Sequence, residues 1–328
     1  MADVIEAIGL TKHYGSRRGI TGLDLRVQAG EIFGYLGPNG SGKTTTIRLM
    51  LGFTRPDRGQ VKLFGRKAGP GSVDLRSKIG YVPGEASLPE NTSGWNALKF
   101  YERLSGRGAK NRDWLCSQLH LQEPELRRSI RTLSRGTKQK IAIVQALQHD
   151  PELIILDEPT TGLDPLSQEA FFDLLHDLRD RGRTIFFSSH VLSEVQRLAD
   201  RVAVLRDGTK VLESTMVEMA AQADRLLWIK MPDQREAPGT ENHTLPNQAQ
   251  NTSGNVAPHP EIDGARFIRR DSGGWLLYLL PAGNGQKTLE TLTRLRPVDF
   301  RFEPALEESF LKLYGVQVRS LQTKAGRP

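Results

Sequence analysis

Leu133-Ser134-Arg135-Gly136-Thr137-Lys138-Gln139-Lys140 and, after a further apolar run, Leu153-Ile154-Ile155-Leu156-Asp157-Glu158-Pro159-Thr160-Thr161-Gly162-Leu163-Asp164 make up the stretch whose reading decides the fold. Its first part sets a serine, an arginine and a glycine at the head of an amphipathic segment, the pattern of a helix start. Its second part opens on a short, wholly aliphatic run with no polar face, as in a strand buried on both sides. That strand ends in adjacent carboxylates, Asp157 and Glu158. An isolated Asp-Glu pair at a strand end is most simply a solvated pair. What lies upstream changes that reading.

Gly37-Pro38-Asn39-Gly40-Ser41-Gly42-Lys43-Thr44 satisfies the phosphate-loop pattern G-x-x-x-x-G-K-[ST]. It follows a strand-like run (32–35) and precedes a helix-like one that begins at Thr45 (45–51), which is the context the motif needs. Gly40 and Gly42 let backbone N–H groups converge on phosphate oxygens, and the helix N-terminus adds favourable partial charge. Lys43 is expected to reach the β- and γ-phosphates and the Thr44 hydroxyl to sit on Mg2+. Downstream of such a loop, Asp157 is suited to hold Mg2+ through water. Glu158 is suited to polarise or orient the attacking water.

Strand-like and helix-like segments alternate over residues 1–222, which predicts an α/β domain with a largely parallel sheet. Short aliphatic or β-branched runs recur at 32–35, 79–82, 153–156, 185–188 and 202–205, and Asp207-Gly208 predicts a tight hairpin turn. Residues 91–147 lack strand signals and carry helical spacing, as in Leu98, Tyr101 and Leu104. They read as a helical subdomain inserted between the phosphate loop and the carboxylate strand. Residues 223–264 hold one strand-like run (226–230) and then a stretch rich in Pro, Asn, Gln, Thr and Gly, expected as a flexible linker. Residues 265–328 read as a small α+β accessory domain. Its strands are expected at 265–270, 275–280 and 298–302, with an amphipathic segment through Leu289, Leu292 and Leu295 and a closing helix at 306–313.

The order of phosphate loop, LSRG, ILDEPTTGLD and a lone histidine after a strand, His190, resembles the ATP-binding subunit of ABC transporters. The resemblance covers residues 1 to about 220, and it is specific because its motifs occur together and in order. It implies a P-loop NTPase fold of the ABC type, ATP hydrolysis, and ATP with Mg2+ as cofactors. By the same resemblance Tyr14 stacks on adenine and His190 contacts the γ-phosphate. Ser134 and Gly136, flanking Arg135 in the signature, touch the γ-phosphate of ATP bound to a second ATP-binding subunit, most simply another copy of this chain. Asp164 lies in the loop that communicates across that pair.

Two positions depart from the family pattern. Arg135 stands where the signature usually has glycine; it is either tolerated, the simpler reading, or adds a cation near the phosphates or the partner subunit. Gly84, in Val82-Pro83-Gly84-Glu85, stands where the family commonly carries a glutamine that senses Mg2+ and water and links to the membrane subunit. Glu85 is a steric substitute. The segment 304–315 is similar to the tail of ATP-binding subunits from drug and antibiotic exporters. That similarity implies integral-membrane permease subunits as partners and a peripheral place on the cytoplasmic side of the cell membrane.

Composition sets the bounds. The chain has 328 residues, 38% hydrophobic and 25% charged, which is ordinary for soluble globular domains, two being the prior. No apolar run approaches bilayer length, and the N-terminus lacks a basic segment followed by an apolar core. One cysteine, Cys116, excludes an internal disulfide or a cysteine metal cluster and fits a reducing cytosol. The net charge of +7 suits either nucleic acid or an anionic membrane face. No basic run with interleaved aromatics stands out, and 91–147 is too short for a long coiled coil, so nucleic acid is not an expected partner. A soluble ABC-type ATPase acting on ribosome or DNA, or an importer subunit, are the alternative readings. Importers often retain the glutamine that is Gly84 here.

Overall fold

The computed structural model describes residues 2–15, 17–85, 87–232 and 259–306, and the chain forms two compact units, Met1–Met216 and Val217–Pro328. The first unit holds two sheets. One is antiparallel, in the order β2-β1-β4-β5: β1 (Asp3–Tyr14), β2 (Arg17–Gln28), β4 (Arg58–Leu63) and β5 (Arg66–Lys67). The other runs β10-β9-β3-β8-β7-β6. In it β3 (Ile32–Leu36), β6 (Ile79–Val82), β7 (Leu153–Asp157), β8 (Thr184–Ser189) and β9 (Arg201–Arg206) are parallel, and β10 (Thr209–Thr215) returns antiparallel. The turn into β10 is made by Asp207 and Gly208, both at positive φ, as the dipeptide predicts.

Every residue of β3, β7 and β8 is buried, and this is why they read as unbroken apolar runs. The antiparallel sheet is absent from the sequence reading. Its long strands shift register after Asp3, Ala7 and Leu10, so the two-residue alternation that marks a half-buried strand is broken. The two sheets share one core, in which Leu10, Leu23, Leu25 and Val27 meet Phe33, Tyr35, Ile47 and Phe186. Each such side chain contributes about 1.5–3 kcal/mol on burial.

The helices of this unit are α1 (Lys43–Met50), α2 (Val73–Arg76), α3 (Gly94–Ser105), α4 (Arg112–Gln118), α5 (Glu123–Arg127), α6 (Arg135–Leu147), α7 (Pro165–Asp180) and α8 (Leu192–Leu198). Four of them, α3 to α6, fill the stretch between β6 and β7. Their ends are chemically marked. Ser93 Oγ accepts from Asn96 N at the start of α3, and Gly106 closes that helix at φ +66.

After α9 (Met216–Gln222), the described residues of the second unit form a four-stranded antiparallel sheet, β12-β13-β11-β14, and the helix α10 (Gly285–Leu295). Its strands are β11 (Arg225–Lys230), β12 (Arg266–Arg270), β13 (Trp275–Leu280) and β14 (Asp299–Pro304). Leu227, Ile229, Leu276, Tyr278, Leu280 and Leu292 form a core of their own. Asp271 Oδ1 accepts from Gly273 N and Trp275 N and so shapes the turn between β12 and β13. Most of the expected linker (233–258) lies outside the described residues. So do the expected closing helix beyond Leu306 and the exporter-like tail beyond that point.

Candidate nucleotide site

Parallel strands bring their C-terminal ends to one edge, and the candidate residues collect there. Leu36 of β3 pairs with Ser189 of β8, and Asp157 of β7 pairs with Ser188. Gly37 N donates to Ser189 O at 3.2 Å, which fastens the entry of the phosphate loop to β8. Gly42, at the N-cap of α1, has φ +107, and a Cβ on it would lie 2.6 Å from Gly19 O. Glycine is therefore required there twice over. Gly40 is also at positive φ. Pro38, Asn39 and Gly40 are exposed, as a loop meant to meet a ligand must be. Ser41 Oγ is buried with no hydrogen-bond partner.

Lys43 is 5% exposed, and its Nζ donates to Gly37 O (2.7 Å) and Pro38 O (3.2 Å) while lying 3.1 Å from Glu158 Oε1. The other oxygen of Glu158, Oε2, is 3.1 Å from His190 Nδ1. Glu158 thus stands between the loop lysine and the histidine. Its backbone has φ +48, an uncommon conformation for a non-glycine residue, and its N–H is held by the Ser188 carbonyl and hydroxyl. Asp157 is buried and accepts from Thr44 Oγ1 (2.8 Å) and Ser188 Oγ (2.6 Å). Thr45, half-buried, follows on α1.

Tyr14 ends β1 and is 44% exposed. A methyl on Gly19 would lie 3.3 Å from both Tyr14 Cε2 and Thr45 Cγ2, so the ring edge stands beside the start of α1. Gly84 approaches the carbonyl of Asp157: a Cβ on it would sit 3.2 Å from that oxygen. Glu85 beside it is exposed. Burial, with the Asp157 charge second, pushes the nearby Tyr81 phenol up to about 12, so it stays neutral.

Ser134 is the N-cap of α6, its Oγ accepting from Thr137 N at 3.1 Å. Asp164 caps α7, accepting from Ser167 N (2.9 Å) and Ser167 Oγ (2.7 Å). Among the described residues, no hydrogen bond or ion pair joins Ser134, Arg135, Gly136 or Asp164 to Lys43, Asp157 or Glu158. Ser134, Arg135 and Gly136 open α6, and Arg135 and Gly136 approach Gly162, two residues before Asp164.

Residues 20–161 match the ABC transporter family. The bacitracin transport ATP-binding protein of Bacillus licheniformis is 36% identical over 239 residues, spanning 72% of this chain and 78% of that one. This chain belongs to the ABC transporter family. Another ABC relative, the Nod factor export ATP-binding protein I of Burkholderia lata, is 36% identical over 212 residues, 64% of this chain and 70% of that one. Among solved structures, the ATP-binding subunit of an ABC transporter aligns with a TM-score of 0.62 at 28% identity, covering 67% of this chain and 92% of that one. A dimeric bacterial ABC transporter cassette gives 0.60 at 26% identity over 65% of this chain and 98% of its own. As a member of this family the chain is an ATP-binding protein and an ATPase.

Sequence reasoning passed over several polar groups in this ABC ATPase. Ser188 holds both the side chain of Asp157 and the backbone of Glu158. Glu194 accepts from Thr160 Oγ1 and Ser189 Oγ, and Gln139 reaches Pro159 O. Their hydroxyl, carboxylate and amide types carry no motif of their own. The signal that could have found Ser188 is its register opposite Asp157 on the neighbouring strand.

Proposed function

We propose that the chain is the ATP-hydrolysing subunit that powers export through a separate integral-membrane permease, working as one of a pair on the cytoplasmic side of the membrane. The convergence of Lys43, Thr44, Asp157, Glu158 and His190 at one sheet edge carries the hydrolytic part. Export is supported by relatives named for bacitracin transport and Nod factor export. Pairing is supported by the dimeric cassette of the same fold.

Each residue then has a task. The loop N–H groups and Lys43 cradle the phosphates, and Lys43 exchanges the Glu158 carboxylate for phosphate oxygens. Glu158, released on one side and still beside His190 on the other, accepts a hydrogen bond from the attacking water. His190 orients that carboxylate and the γ-phosphate, and Tyr14 offers its ring to adenine. The Thr44 hydroxyl and the Asp157 carboxylate, 2.8 Å apart, are an oxygen pair that fits Mg2+. When bound, that ion would neutralise charge on the β- and γ-phosphates. Ser134 and Gly136 serve the nucleotide of the second copy, and Asp164 lies in the loop between the two sites.

Mild detergent extraction with this subunit tagged tests the reading. A polytopic permease is expected to co-purify; recovery of ribosomal proteins or DNA in its place would overturn it.

A further inference from the structure

The loop that leaves Glu158 is fastened to α6 at two places. Gln139, buried, donates from Nε2 to Pro159 O at 2.9 Å. Four residues earlier, and so on the same face of the helix, the stem of Arg135 crosses Gly162. A methyl on Gly162 would meet Arg135 Cγ at 2.9 Å and Cδ and Nε at 3.0 Å. Gly162 also has φ +89, so its backbone calls for glycine, and the side chain of Arg135, itself exposed, lies over it. Gly136 closes in as well: a methyl on it would lie 3.0 Å from Gly162 O. The Arg135 guanidinium has no ion pair or hydrogen bond among the described residues, so within this chain Arg135 contributes its stem rather than its charge. At its far side the same loop is tied by Thr160 Oγ1 to Glu194, which also accepts from Ser189 Oγ next to His190.

We propose that Arg135 is a positioning residue, its aliphatic stem clamping the 159–164 loop to the helix whose first turn presents Ser134 and Gly136. Seating of the second copy's nucleotide on that turn is thereby transmitted to Glu158 of the same chain. This rests on the two-copy reading above. The arginine that departs from the family's glycine is neither a neutral variant nor a phosphate ligand; it is a spacer that fixes one site's loop against the other site's helix.

The test uses the full chain with Arg135→Gly, Arg135→Met and Arg135→Lys, read as kcat and KM for ATP. ATP-driven dimerisation is read in a Glu158→Gln background. R135G, lacking the stem, is expected to lose about tenfold in kcat, the scale of a displaced catalytic group. Its KM should stay within about twofold because the phosphate loop is untouched, and R135G/E158Q should still dimerise in ATP. R135M, an uncharged stem, is expected to recover most of the loss. Parental kcat in R135G, or recovery by R135K but not by R135M, overturns the clamp, the latter in favour of the charge. An E158Q chain that stays monomeric in ATP with Arg135 intact overturns the two-copy reading first, and the transmission with it.

Discussion

Glu158 is held between Lys43 and His190, and Lys43 is also held by Gly37 O and Pro38 O. A triphosphate must break the first of these contacts to engage the lysine, so the carboxylate competes with the substrate. Glu158→Gln removes that competition and the proposed base together. Turnover is expected to fall by about 10²–10⁴-fold, while ATP binding tightens. Single-turnover hydrolysis and equilibrium binding check the two halves, and turnover near the parent's would remove Glu158 from the base role. Gly42→Ala meets two obstacles at once, φ +107 and the Gly19 carbonyl at 2.6 Å. Backbone strain of this kind costs about 1–3 kcal/mol. The variant is expected to melt lower and to lose nucleotide affinity, measured by scanning calorimetry and titration. The loop's chemistry was readable in sequence because its donors are contiguous. The pairing of Glu158 with Lys43 was not, because it comes from the register of β3, β8 and β7.

Elements of the first unit were legible where burial is uniform and opaque where it is not. β3, β7 and β8 declare themselves as apolar runs, whereas β1 spreads its buried residues across register shifts and reads as no clean strand. The start of α6 was legible at Ser134, whereas the Asp164 cap of α7 emerges only in the structure, because in sequence that residue reads as part of a loop. The Asp164 cap has a pH signature. Its two bonds from Ser167, the hydroxyl's first, hold the carboxyl below its ordinary 3.8. A depressed folded pKa means that the cap's stabilisation is fully present above that ordinary value and is lost as pH falls through the folded one. Asp164→Ala is therefore expected to melt below the parent at neutral pH. The gap should close only in strongly acidic solution, beneath about pH 4. Thermal melts of both chains across pH 2–7 would show it, and a gap unchanged down to the lowest pH would mean that the charged cap does not stabilise α7.

At the scale of the whole molecule, the second unit's self-sufficiency decides where the chain can be cut. β11 precedes the stretch expected as a linker, yet it pairs along its whole length with β13 on one side and β14 on the other. Sequence alone shows a strand-like run before a composition break; it cannot show that the partners lie beyond the break. Truncation after Met231 strips β11 of both neighbours and bares Leu227 and Ile229, each 0% exposed in the full chain. An unpaired apolar strand with two open edges templates association. Truncation after Met216 instead removes the whole second unit and leaves both sheets of the first intact. The longer fragment is therefore expected to aggregate, and the shorter one to stay soluble, melt cooperatively and hydrolyse ATP at a basal rate close to the full chain's. Size-exclusion chromatography and steady-state ATPase assays on the two fragments distinguish the cases. A 1–216 fragment that fails to melt cooperatively would make the second unit part of the ATPase core. A soluble, monomeric 1–231 would mean that β11 is stable without the strands that flank it.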